Sequence, residues 1–273
     1  SIFPSHLFKW KKVLTLFRPI YNSEPLKEAV TSMIPEDMRF NDLQRRVMVT
    51  SVNLSTGLPK FFKTPHNPMF TLDGKLKLID AAMATSAAPT YFKPHYCSDL
   101  NHYFADGGLV SNNPSLIGIR EVLIDMQSDF PDAQPKDVKI LNVGTLSENY
   151  CISPKVLEQN CGKGYHGLWN MGERLVLSTM TANQHLQRFM LMREFKVLGI
   201  PQNYVELDAT IPNEASSDIT LDNASGSSLD ALIGLGKKLG AEAYTERAEL
   251  RQFFEYTAEP FINKSIKLGD QKA

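Results

Sequence analysis

Runs of apolar, largely β-branched residues recur at three places along the chain and predict buried strands. They are residues 45–54, 137–146 and 204–211. A turn at residues 55–57 follows the first run, and residues 58–64 then predict the returning strand of a hairpin. The segment "HYFADGG" predicts one more short strand, which ends in a turn.

Apolar residues at helical spacing predict helices between and after these strands. The predicted helices are residues 76–89, 114–130, 167–195 and 227–262. Pro89 ends the first, and Pro114 stands near the start of the second, where proline is tolerated. Because strands and helices alternate, the predicted class is α/β with a mainly parallel sheet. The polar residues 211–228 predict a surface loop, with a mobile lid as the alternative.

Composition narrows the choice of function. The chain has 273 residues with 42% hydrophobic content, which suits a single domain over residues 1–273. Its net charge of -1 is not that of a protein that binds a nucleic acid polymer. No apolar run reaches the ~18 residues that a membrane-spanning helix needs, so only peripheral membrane contact is expected.

The cysteines and histidines predict no metal site. Cys97, Cys151 and Cys161 have no C-x-x-C spacing, and this sparse, odd number is typical of a reducing compartment. No histidine pair has H-E-x-x-H spacing, and no Cys/His cluster resembles a zinc site.

The segment "GKGYHG", residues 162–167, matches G-x-G-x-x-G. A dinucleotide cofactor site needs that pattern directly after a strand, at the start of a βαβ unit. The preceding "SPKVLEQNC" is helix-like or loop, and no acid follows where the ribose partner would stand. A flexible loop is therefore the preferred interpretation, and no organic cofactor is expected.

The segment "YFADGGLVSNNP" is the candidate for chemistry. It places Asp106 at the end of a predicted strand, and in open α/β sheets sites form at that edge. Gly107 and Gly108 let the backbone turn sharply and let another group approach the acid closely. The "SNNP" that follows, read alone, is a turn that caps the next helix.

Three roles are open to this carboxylate. It could bind a metal, although Asp99 is the nearest second acid and looks exposed. It could orient a histidine, with His95 or His102 as the candidates, or it could act directly as a base on a nucleophile.

Two motifs in this order, "AMATSAAP" and "DGGLVSNNP", make the chain resemble the patatin-like phospholipases. The resemblance runs from about Val47 through "KILNVGT" and continues more weakly through "LDNASGSSLDALIGLG". It implies a three-layer fold around a central sheet and a lipid acyl hydrolase that uses a Ser–Asp dyad. The dyad acid maps onto Asp106, with Gly107 and Gly108 completing the D-G-G motif. The implied substrate is a membrane glycerophospholipid.

The chain departs from the family at the nucleophile. The family's serine lies in G-x-S-x-G and its oxyanion loop in G-G-x-R/K-G, and neither pattern occurs in these residues. Ser86 and Ser111 are poor substitutes by position. Ser1 at the start favours the C-terminal portion of a longer phospholipase, inactive alone, whose N-terminal portion carries the nucleophile. The alternative is a non-catalytic lipid- or nucleotide-binding relative on the same scaffold.

The chain is also similar to family members that serve bacterial antiphage defence, which degrade the membrane after binding a cyclic dinucleotide. That similarity implies a cyclic dinucleotide activator, bound away from Asp106 among residues 155–193. It also implies a cytoplasmic protein that acts on the inner face of the membrane. A homo-oligomer is an open expectation.

Overall fold

The computed structural model of the chain describes residue 2 and residues 19–145, 150–209 and 222–261. Its strands are β1 (Met48–Asn53), β2 (Leu58–Lys63), β3 (His95–Cys97), β4 (His102–Asp106), β5 (Ile140–Val143) and β6 (Tyr204–Leu207). Its helices are α1 (Glu24–Met33), α2 (Leu78–Thr85), α3 (Gly108–Ser111), α4 (Ser115–Arg120), α5 (Pro154–Asn160), α6 (Gly164–Gly167), α7 (Glu173–Val197), α8 (Gly226–Glu246) and α9 (Ala248–Arg251). The α/β class is confirmed.

The expectation of a mainly parallel sheet is wrong for the described residues. One sheet has the order β2-β1-β4-β3, and all three of its pairings are antiparallel. Only β5 and β6 form a parallel pair there. Short turns join β1 to β2 and β3 to β4, and a turn that short reverses the chain, so each pair must be antiparallel. The sequence predicted the first of these hairpins, but the alternation of strands and helices did not reveal the second or the pairing of β1 with β4.

Most predicted elements are present, with shifted ends. The hairpin of β1 and β2, the strand "HYFAD" and the two later strands are confirmed. The predicted helix 114–130 is instead α4 followed by a π-helical turn, Glu121–Asp125. α7 begins only at Glu173, because Asn170 and Met171 adopt positive φ and break the helix before it. Helix α1 and strand β3 were not predicted.

Aromatic side chains form the core under the antiparallel sheet. Phe62 of β2 packs against Phe40 and Phe104, and all three are fully buried. A second cluster joins Ile119 of α4 to Leu191 and Phe195 of α7 and to Tyr204 of β6. Helix α7 is thereby fixed between the parallel strand pair and the segment that follows Asp106.

Among the described helices, none has the length and apolar character needed to cross a bilayer. Most of the polar stretch 211–228 lies outside the described residues, so the prediction of a surface loop is untested there.

Candidate functional site

Asp106 is the last residue of β4, where the antiparallel ladder ends and the chain turns into α3. Ser51 of β1 lies opposite it in the register of the sheet. The backbone N–H of Asp106 donates to the carbonyl oxygen of Ala87, at 3.0 Å, just beyond the end of α2. Two elements therefore hold the backbone of this residue, which leaves its carboxylate at the end of the strand as the sequence predicted.

The Asp106 carboxylate is largely desolvated. Burial raises its pKa from 3.8 to about 6, although the backbone N–H of Gly108 opposes this shift by donating to Oδ1 at 2.7 Å. Among the described residues, that N–H is the hydrogen-bond donor to the carboxylate. An aspartate with a pKa near 6 can take up and release a proton at neutral pH, which an ordinary aspartate does poorly.

Both glycines of the motif are closely packed, but only Gly107 faces backbone that cannot move aside. A Cβ atom on Gly107 would overlap the carbonyl oxygen and the Oγ1 of Thr50 on β1. A Cβ atom on Gly108 would overlap the terminal methyl of Met180 on α7. The two positions thus bring β1 and α7 against the turn that carries the acid, in agreement with the close approach predicted from the sequence.

The residues around Asp106 bear on the three roles that the sequence left open for it: metal ligand, partner of a histidine, or base acting on a nucleophile. His95 pairs with Asp80, with Nε2 and Oδ1 2.9 Å apart, and His102 lies 3.1 Å from the amide nitrogen of Asn53. Asp99 is exposed in the turn between β3 and β4, at the other end of β4. In the described part of the chain, no group of three or more His, Cys, Asp or Glu side chains could hold a metal ion.

The "SNNP" segment forms the turn that precedes α4, but its N-cap, Pro114, has no side-chain cap hydrogen bond. Asn113 Oδ1 accepts from the N–H of Ser115, the first residue of α4, and its amide nitrogen lies 3.3 Å from the hydroxyl of Tyr204. Asn112 donates to Gln184 of α7. The buried Ser111 hydroxyl donates to Oε1 of Gln187, at 2.8 Å. The Ser111 hydroxyl is thus hydrogen-bonded to α7, and it is not placed as a substitute nucleophile beside the Asp106 carboxylate.

Sequence reasoning missed the contribution of α7. Gln187 also donates to the carbonyl oxygen of Val110, at 2.9 Å, so one side chain binds two consecutive residues of α3. Gln184 and Gln187 are three residues apart and lie on one face of the helix. That spacing was the available signal.

The "GKGYHG" segment follows a helix, as the sequence suggested. Helix α5 precedes it, and Gly164–Gly167 itself forms the short helix α6. It does not follow a strand, so the placement that a dinucleotide-binding turn needs is missing.

A buried polar cluster lies away from Asp106 and was also missed. Glu121 lies at the start of the π-helical turn. Its Oε2 accepts a hydrogen bond from Nζ of Lys63 at 2.5 Å, and its Oε1 lies 2.7 Å from Nε2 of His66. Burial alone would raise the pKa of Glu121, but the hydrogen bonds from His66 and Lys63 outweigh it and hold the pKa below 4.5. The cluster ties β2 to the segment that follows α4.

Comparison with known proteins agrees with these motifs. A family model described as patatin-like phospholipase matches residues 2–118, which include Asp106 and both glycines. A cGAMP-activated phospholipase of Escherichia coli is 58% identical over 98% of this chain and 75% of its own length. One from Vibrio cholerae is 56% identical over 95% of this chain and 74% of its own length. One from Pseudomonas aeruginosa is 34% identical over 82% and 62%, respectively.

The match to the bacterial relatives extends well beyond the residues of the family model, since it covers nearly the whole chain. It therefore includes α7 and the parallel strand pair as well as the D-G-G turn. The chain belongs to the patatin-like phospholipase family, and its enzyme class is that of the phospholipase hydrolases.

Proposed function

We propose that Asp106 is the proton acceptor of a Ser–Asp dyad that hydrolyses fatty acyl esters of membrane glycerophospholipids. The observation that carries the proposal is the position of this partly buried carboxylate, at the end of a strand and beside two closely packed glycines, together with its raised pKa. The names of the bacterial relatives support the class of substrate.

In the proposed reaction, a serine oxygen attacks the ester carbonyl carbon while Asp106 takes the serine proton. Asp106 then gives that proton to the oxygen of the leaving alcohol, as the carbon–oxygen bond of the ester breaks. Water next attacks the acyl-serine, its proton passes to Asp106, and the proton returns to the serine oxygen as the fatty acid leaves. Gly108 holds Oδ1 of the acid in place through its N–H.

The serine of the dyad lies, in this proposal, in a polypeptide portion additional to these 273 residues. No G-x-S-x-G occurs in the sequence, and about a quarter of each of the two most similar bacterial relatives named above lies outside the match. Intact mass measurement on the natural protein tests this directly. We expect a mass above 30.6 kDa or a second polypeptide. A single species of 30.6 kDa without hydrolase activity would favour a non-catalytic binding protein on the same scaffold.

The role of Asp106 is tested in a preparation that hydrolyses phospholipid vesicles. Asp106→Asn should lower the rate about 10²–10⁴-fold, because it removes the proton acceptor and keeps the shape. Asp99→Asn is the matched control, since Asp99 is exposed at the other end of β4, and it should keep full activity. Retained activity in the Asp106 variant would refute the dyad.

We further propose that a cyclic dinucleotide activates the enzyme in antiphage defence, with the protein in the cytoplasm and acting on the inner face of the membrane. The names of the bacterial relatives support an activating cyclic dinucleotide. Calorimetric titration with cyclic GMP–AMP tests the binding step. Absence of heat at all concentrations would count against activation by this ligand.

A further inference from the structure

A cavity of about 580 Å³ lies behind α2, and Asp106 does not line it. Its walls come from the start of α1, from α2 and from the β3–β4 hairpin. This volume is in the range of pockets that bind small molecules, about 300–1,000 Å³. None of the reactions proposed above uses this cavity.

The wall carries polar groups that are held in place or lack a partner. His95 is fixed by its 2.9 Å contact with Asp80. Ser23 is buried, and its hydroxyl has no hydrogen-bond partner in the part of the chain that the structure describes. A buried hydroxyl without a partner is unfavourable, so a ligand that bonds to it would gain free energy.

Cations surround the same space. Lys27, Lys77 and Lys93 line it, and none forms an ion pair with the described carboxylates. Lysine binds phosphate oxygens as a compact point charge. Glu24 and Glu36 also line the cavity, and their carboxylates accept hydrogen bonds from amino and hydroxyl groups. The lining therefore suits a ligand that combines phosphates with such donors.

Aromatic rings stand at the rim. Tyr96 and Tyr103 lie side by side with ring centroids 5.0 Å apart, and they are 45% and 52% exposed. Exposed aromatic faces offer stacking platforms for nucleobases. Lysines beside exposed rings are the pair of features that recognition of a nucleotide needs.

We propose that this cavity binds the activating cyclic dinucleotide, through lysine contacts to its phosphodiesters and tyrosine contacts to its bases. The inference rests on the proposed function, because it assumes an activator of that class. The sequence suggested that the activator binds among residues 155–193. The cavity lies outside that region, so this proposal moves the site. The distinction is testable, because the two regions contain comparable exposed lysines.

The cavity has a direct connection to the catalytic acid. Ala87 lines the cavity, and its carbonyl oxygen accepts the hydrogen bond from the backbone N–H of Asp106. Tyr103 at the rim belongs to β4, the strand that ends at Asp106. A ligand that shifts the end of α2 or the start of β4 would therefore move the acid.

The test is calorimetric titration of the natural protein with cyclic GMP–AMP. Lys93→Glu and Tyr103→Ala should each weaken binding about tenfold or more, because they remove a phosphate contact and a stacking ring. Both side chains are exposed, so both variants should fold. The matched controls Lys155→Glu and Tyr256→Ala change exposed residues outside the cavity and should bind like the wild type.

The outcomes separate the two proposals. If the wild type binds and the cavity variants bind equally well, the cavity assignment is wrong and the activator proposal stands. Loss of binding in Lys155→Glu alone would return the site to residues 155–193. If the wild type does not bind, both proposals fail. Equal binding of glycerophosphoglycerol, a phosphodiester without bases, would assign the cavity to a lipid headgroup and overturn the nucleotide assignment.

Discussion

The backbone of Gly107 lies so close to Thr50 that a Cβ atom at position 107 would overlap the carbonyl oxygen and Oγ1 of Thr50. We predict that Gly107→Ala destabilises the protein by about 1–3 kcal/mol, because a backbone oxygen cannot move aside as a flexible side chain can. Urea unfolding at neutral pH measures the loss. An unchanged midpoint of urea unfolding would contradict this, because it would show that β1 and the turn can move apart at no cost in stability.

Gly118 is the control for that substitution. It lies inside α4, and nothing is within 4 Å of the position that its Cβ would take. Gly118→Ala should be neutral or stabilising by up to about 1 kcal/mol, because alanine has the higher helix propensity. The contrast between the two variants isolates the close approach at the D-G-G turn.

Asp106 should make the protein less stable as pH rises. Its folded pKa of about 6 exceeds its ordinary value of 3.8, so between these values the folded state binds more protons than the unfolded state. Stability from this group therefore falls as pH rises from 3.8 to about 6. Unfolding of wild type and Asp106→Asn over that range measures it, and Asp106→Asn should gain relative stability with pH. A constant difference would mean that the carboxylate is solvated.

The rate of hydrolysis should also follow the protonation of Asp106, but it should rise with pH, whereas the stability contributed by Asp106 falls with pH. The proposed base must be unprotonated to accept the serine proton, so kcat/KM should fall as pH drops below about 6. A rate profile on phospholipid vesicles from pH 4 to 8 measures this apparent pKa. A profile that is flat through pH 6 would contradict either the base role or the desolvation of Asp106.

The buried cluster at Glu121 should contribute more to stability than surface ion pairs do. Glu121→Gln removes the charge that faces Lys63 and His66 and should cost about 3 kcal/mol at neutral pH. Because the folded pKa of Glu121 is lowered, this stability is present above pH 4.5 and is lost as pH falls through the folded pKa. Urea unfolding at pH 7 and at pH 4 checks both statements.

The control is the Arg120–Glu194 pair, which has side chains 53% and 28% exposed. Glu194→Gln should cost less than about 1 kcal/mol, because solvent screens that pair. Equal losses in the two variants would mean that burial of Glu121 adds nothing.

Cysteine reactivity gives a test of the core that requires no substitution. Cys97 is fully buried on β3 and burial raises the pKa of its thiol, whereas Cys151 and Cys161 are exposed. Two thiols should react with iodoacetamide in the folded protein and the third only in denaturant. Mass spectrometry of the labelled peptides identifies them, and rapid native labelling of Cys97 would contradict the packing of β3.

The part of the site that the sequence predicted is the part made by one continuous segment. Asp106, its glycines and the turn after them are adjacent in the chain, so strand and turn chemistry were enough to place the acid. The contribution of Gln187 could not be predicted, since it depends on a helix that begins more than 60 residues later. The pairing of β1 with β4 is likewise a long-range choice that periodicity does not record.

The clusters of charge were missed for the same reason. Lys63, His66 and Glu121 look like ordinary polar residues in their own segments, and only the fold brings Glu121 to β2. The antiparallel pairing of β3 with β4 was missed because β3 has only three residues, too few to show an alternating pattern.

Helix α7 has a consequence for how this family can diversify. The family model ends at residue 118, whereas the glutamines that bind the segment after Asp106 lie on α7, far beyond it. Substitutions in α7 can therefore move the segment that follows Asp106 without changing any residue that the family model matches.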